Sequence, residues 1–109
     1  IDHGAALYFH HSWTGMDERS KDPFPLIKDH ILLPFASALE AADAAMSSVV
    51  TEKTIVDAVE LVPDDWMLGE PRFNSPAENR QAYIEYLVRR LAEPRYFLQE
   101  AIRARSVQV

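Results

Sequence analysis

An all-α fold, a small bundle of about five helices with a short extended N-terminal segment, is predicted by three features of the 109-residue sequence. Apolar residues recur at three- and four-residue spacing through most of the chain after Pro23. Helix-start residues stand ahead of those runs: Asp22-Pro23, Thr51 and Ser75-Pro76-Ala77-Glu78. Pro34, Pro63 and Pro94 then cut the runs into short helices, because proline lacks the amide a helix interior needs. With 48% hydrophobic and 26% charged residues, the chain suits one globular domain over residues 1–109. Residues 1–22 read as a leading segment and loop, and residues 23–109 as the helices.

In the leading segment Ala5, Leu7 and Phe9 alternate with Ala6 and Tyr8, a strand-like run. A lone strand is unstable, so this one pairs outside the chain or lies irregularly on the helices. The charged stretch from Asp17 to Asp22 reads as an exposed loop. The first helix is expected from Pro23 with Asp22 as its cap; Ile27, Ile31 and Phe35 share a face beside Leu32, and Pro34 ends or bends it. Residues 36–47, rich in Ala with Leu39 and Met46, form the next. Thr51 leads a short helix carrying Ile55, Val56, Val59 and Val62, closed by Pro63. Asp64 to Gly69 reads as a single turn that sets Trp66 and Leu68 against the core.

The clearest start follows. Ser75-Pro76-Ala77-Glu78 joins an N-cap, a proline at the first helical position and a Glu three residues after the cap, which is a capping box. Behind it Ile84, Leu87, Val88 and Leu91 make one apolar stripe. After Pro94, the last helix buries Phe97, Leu98, Ala101 and Ile102.

Composition narrows the function. A net charge of -6 argues against a general nucleic-acid binder, whose affinity rests on neutralising phosphates. The absence of cysteine removes disulfides, thiolate metal sites and thiol nucleophiles. No apolar run approaches the roughly 20 residues of a membrane span, and no export signal opens the chain. A cytoplasmic protein with neither membrane nor nucleic-acid partners is expected. The charge is uneven: residues 1–71 carry a net -9 and residues 72–109 a net +3, with all seven basic residues of the second part Arg. This predicts solvated helical faces laced with weak pairs, Glu85 with Arg89 and Glu100 with Arg103, or else docking on an acidic partner surface.

One constellation suggests chemistry. In Ile1-Asp2-His3-Gly4 a carboxylate at a strand end is followed two residues later by Gly, the arrangement that presents Asp to a divalent ion on nucleotide phosphates while the backbone turns away. The same pattern also describes ordinary turns. His3, His10 and His11 with Asp2 supply ligand types suited to Zn²⁺, but on a strand His10 and His11 point to opposite faces. His30 is expected to cap or to sit half-buried. Tyr83, Tyr86, Tyr96 and Phe97 are read as core rather than as a base-stacking platform, and Trp13 and Trp66 as anchors. Ser12, Thr14, Ser20 and Ser75 show no triad spacing, and Asp64 beside Asp65 makes a poor acid/base pair.

Three stretches in order, Ile1 to His11, Lys28-Asp29-His30-Ile31-Leu32-Leu33-Pro34 and Leu61-Val62-Pro63-Asp64-Asp65-Trp66, resemble the C-terminal end of bacterial HipA-like kinase-domain proteins. The resemblance implies that Ile-Asp-His-Gly corresponds to the kinase Asp-Phe-Gly element, that Asp2 binds Mg²⁺ against ATP phosphates and that Gly4 permits the turn. It also implies that the chain is the helical part of a larger ATP-dependent kinase, with the nucleotide-binding lobe of the same polypeptide as its partner. The three glycines, at 4, 15 and 69, form no phosphate-covering loop, and a lone carboxylate holds Mg²⁺ weakly, so this chain alone is expected to be inactive and to bind no cofactor tightly. Two alternatives stand beside that reading: a stand-alone helical interaction module, dimeric through an exposed apolar surface, and a fragment related to phosphoinositide kinases, which also carry an Asp-x-Gly metal element. A severed subdomain is expected to expose apolar surface around Leu7, Phe9 and Trp13.

Overall fold

A computed structural model describes residues 13–108. The fold is all-α: α1 (Met16–Arg19), α2 (Leu39–Val49), α3 (Glu52–Glu60), α4 (Pro76–Leu91) and α5 (Tyr96–Gln108), with 3-10 turns at Pro25–Asp29, Leu33–Phe35 and Asp64–Trp66. No strand occurs among the described residues. The extended segment expected over residues 5–9 lies outside them. Helices α4 and α5 act as a spine: α3 and α1 pack on α4, while α2 and the first two 3-10 turns pack on α5.

The best-marked helices form where their caps predict. Thr51 Oγ1 accepts the Thr54 amide and Thr54 returns the bond to the Thr51 amide, so α3 starts in a reciprocal capping box. Ile55 and Val59 of this helix are buried. Ser75 Oγ accepts the Glu78 amide at 3.2 Å, with Pro76 as the first helical residue. The Glu78 carboxylate takes the amide of Asn74 rather than that of Ser75, so the box closes one residue early.

Four local expectations are corrected. The helix expected from Pro23 is two 3-10 turns. Phe24 takes a left-handed backbone (φ 56°), held by its amide donating to Asp22 Oδ1 at 2.6 Å, and Pro25 opens the turn after it. His30 is extended and its Nδ1 accepts the Leu32 amide, while Pro34 has no amide to give to residue 30. Ile31, Leu32 and Phe35 are therefore exposed, and Leu33 alone of this group is buried.

The loop expected at Asp17–Asp22 contains α1, started by Gly15 in the left-handed region (φ 70°). Ser20 is buried, its hydroxyl donating to the Asp17 carbonyl at 2.6 Å. In the 64–69 turn the register is off by one, so Met67 is buried while Trp66 and Leu68 face solvent. On α4 the aliphatic stripe is only half-buried, and the most buried positions are Tyr86 and Asn79. The stripe accounts for one side of a helix that packs against both α3 and α1. On α5, Ala101 and Ala104 are buried, with Phe97, Leu98 and Ile102 half-buried.

Candidate functional site

A concavity with mainly apolar walls lies where α2 faces the α4–α5 corner. It is an apolar trough of about 470 Å³ whose walls include Ile27, Leu39, Met46, Phe97, Leu98 and Ala101. A second hollow of about 240 Å³ shares Val50, Arg90, Leu91 and Phe97 with it and extends to Ile55 and Leu87. The trough exists because α2 is built from Ala with few large side chains and buries no residue of its own.

Polar groups frame the trough and hold its walls. Arg95 makes a two-pronged contact with Asp43, Nε to Oδ1 at 2.8 Å and Nη2 to Oδ2 at 2.6 Å, and its Nη1 donates to the Leu91 carbonyl at 3.0 Å. Both side chains are largely shielded, 11% and 15% exposed, so the pair pins α2 to the corner between α4 and α5. The Arg95 guanidinium lowers the Asp43 carboxyl below its ordinary range through that hydrogen bond. Arg90 stacks over the Phe97 ring at 4.9 Å and donates to the carbonyls of Ser20 and Asp22. Lys21 caps the corner from below, donating to the carbonyls of Ala92 and Pro94 at 2.7 and 3.2 Å.

A second cluster is aromatic. Trp13 meets Phe73 and Tyr83 edge-on, with centroids 4.9 and 4.7 Å apart. Burial, with the Glu70 charge nearby, raises the Tyr83 hydroxyl above its usual range. Trp13 is thus an anchor, as its sequence setting suggests. The apolar surface expected around it involves Leu7 and Phe9, which lie outside the described residues.

Of the residues singled out for chemistry, Asp2, His3, Gly4, His10, His11 and Ser12 also lie outside the described residues. His30 caps the Leu32 amide and is exposed. Thr14 Oγ1 accepts from Arg72 at 2.8 Å, and Asp64 pairs with Arg80. Among the described residues no three His, Asp or Glu side chains gather closely enough to hold a metal ion. None of the described helices is long and apolar enough to cross a membrane.

Most of the arginines of the last third are engaged within the chain. Glu100 does pair with Arg103, at 2.6 Å, but Arg89 turns from Glu85 to Asp17 across the fold. Arg80 to Asp64 and Arg95 to Asp43 bridge the same two parts of the sequence. The expectation of merely local, solvated pairs is corrected accordingly: the charge split becomes tertiary contact. The trough and its Asp43–Arg95 clamp were missed from sequence. The available signal was an acid set in an otherwise apolar, Ala-rich stretch, together with the opposite charges of the two parts.

Chemically, the trough can bind apolar matter and the charged groups at its rim are already engaged. Its one hydroxyl, Ser47, donates to the Ala44 carbonyl, and its one carboxylate, Asp43, is taken up by Arg95. Comparison with known proteins finds no matching family model, no significantly similar curated protein and no significantly similar solved structure.

Proposed function

We propose that this chain is the helical C-terminal part of a bacterial, cytoplasmic HipA-like ATP-dependent kinase, a phosphotransferase whose nucleotide-binding lobe belongs to the same polypeptide. The ordered resemblance at Ile1–His11, Lys28–Pro34 and Leu61–Trp66 carries this reading. The trough beside α2 supports it, because a helix that buries none of its own residues is suited to resting under further structure. Asp2 would hold Mg²⁺, which neutralises the phosphates of ATP during transfer, and Gly4 would let the chain turn behind it. The work of the described residues is structural: the Arg95–Asp43 clamp and the α4–α5 corner set the position of α2 beneath the rest of the large lobe.

The test is Asp2→Ala in the kinase that carries this chain, followed by Mg²⁺-dependent transfer of the γ-phosphate of ATP. A loss of at least about a hundredfold in turnover with unchanged helicity is expected. Unchanged turnover removes Asp2 from the chemistry. A protein that neither binds Mg²⁺-ATP nor turns it over favours the second reading, a helical interaction module, for which the same trough is the binding surface.

A further inference from the structure

The chain from Trp13 to Asp22 follows α4 backwards. Arg90 donates to the carbonyls of Ser20 and Asp22, Arg89 pairs with Asp17, and Tyr83 meets the ring of Trp13. Trp13 also touches Phe73, and Thr14 accepts from Arg72, both of them ahead of the helix. The contacts therefore step toward the start of α4 as the residue numbers of the leading chain fall.

Asn79 is the next position on that track. It lies four residues before Tyr83, and spacings of three and four keep Asn79, Tyr83, Tyr86 and Arg90 on one side of the helix. Asn79 is only 4% exposed, and its Oδ1 is buried without a hydrogen-bond partner among the described residues. A buried amide oxygen left unpaired is costly, and native structures leave few of them so. The helix rises about 6 Å from Asn79 to Tyr83, and two extended residues cover about 7 Å, so the residues joined to Trp13 can reach it. His10, His11 and Ser12 each carry a main-chain N–H that has to find an acceptor.

We propose that Asn79 is a positioning residue: its Oδ1 accepts a main-chain amide from residues 10–12 and so fixes the line along which the segment bearing Asp2 leaves the bundle. The purpose of that anchor rests on the kinase reading of Asp2, whereas the contact itself does not.

Hydrogen exchange of the full protein that carries this chain tests the contact. Asn79→Leu keeps the volume and removes the acceptor, so exchange at residues 10–12 should quicken at least about tenfold while the amides around Tyr86 keep their protection. Asn79→Asp keeps an acceptor oxygen and should restore the protection; Asn79→Ala, read in the same way, serves if the leucine does not fit. Unchanged exchange at residues 10–12 overturns the proposal, and so does loss of protection throughout α4, the mark of a core residue only. Equal loss in Ser12→Ala overturns it too, by making the hydroxyl the donor. In Mg²⁺-dependent transfer from ATP, Asn79→Leu should lower kcat about tenfold with the KM for ATP within about twofold, and Asn79→Asp should recover it. An unchanged kcat overturns the positioning role. A wild-type protein without transfer ends the kinase reading, and the exchange result still decides the contact.

Discussion

The two sides of the spine are held by different means. On the α4 side, Ile55, Val59, Met67 and Tyr86 are buried, Trp13, Phe73 and Tyr83 interlock, and both helices open with side-chain caps. On the α5 side the buried residues are small or few: Ala101, Ala104 and Leu33. There α2 lacks a side-chain cap and any buried residue, and the joint depends on Arg95 with Asp43 and on Lys21 and Gln108 reaching main-chain carbonyls. Apolar area stabilises one side and charge-assisted hydrogen bonds locate the other. The first should set global stability, and the second should open first.

Breaking the strong side gives the largest effect. Tyr86→Ala should cost about 3–5 kcal/mol in urea unfolding, as for other fully buried aromatics, and a loss under 1 kcal/mol would show that the α4 side is not the stable one. Breaking the weak side should look different. Arg95→Ala should raise amide exchange in α2 roughly tenfold or more while α3 and α4 keep their protection. Equal acceleration in both would erase the contrast.

Acid should mimic that variant. The folded Asp43 carboxyl lies below its unfolded value of 3.8, so its contribution is present above that value and disappears as pH falls through the lower, folded one. α2 should therefore loosen in acid before the α4 side does, which exchange measured across pH 5 to 2 would reveal. In alkali the order reverses. Tyr83 resists ionising when folded, so its contribution is present below pH 10.0 and is lost above it, on the α4 side.

Smaller effects sharpen the picture. Ser75→Ala should cost about 1 kcal/mol by removing the cap of α4. Trp66→Ser should change stability by no more than about 0.5 kcal/mol, because the indole is 77% exposed.

The same division marks what could be read from the residues. Helices α3, α4 and α5 were legible because caps, prolines and helical spacing agree on where they run, even where the buried side chains differ from the expected ones. The 23–35 region was not, because Ile27, Ile31 and Phe35 keep helical spacing while Phe24 and His30 leave helical dihedrals, and spacing does not register backbone breaks. At 64–69 a short turn can bury either neighbour, and here it buries Met67 and leaves Trp66 exposed. On α4 the reading of Tyr86 as core holds, whereas the aliphatic stripe expected to carry the burial is only half-buried. For the candidate site, Trp13 was legible as an anchor from its setting. The Asp43–Arg95 clamp joins residues 52 apart in sequence, a distance that no local pattern encodes.

The spine also bears on how the chain is made. The elements that precede residue 72 pack chiefly on α4 or α5, and of their main contacts only that between the first two 3-10 turns stays within the earlier part. During synthesis, α1, α2 and α3 leave the ribosome before the helices on which they pack, so their apolar and acidic surfaces stay uncovered until α4 and α5 follow. The packing of these elements therefore closes only once α5 is out, and the interval before α5 emerges is when this segment of the nascent chain most needs a holding chaperone.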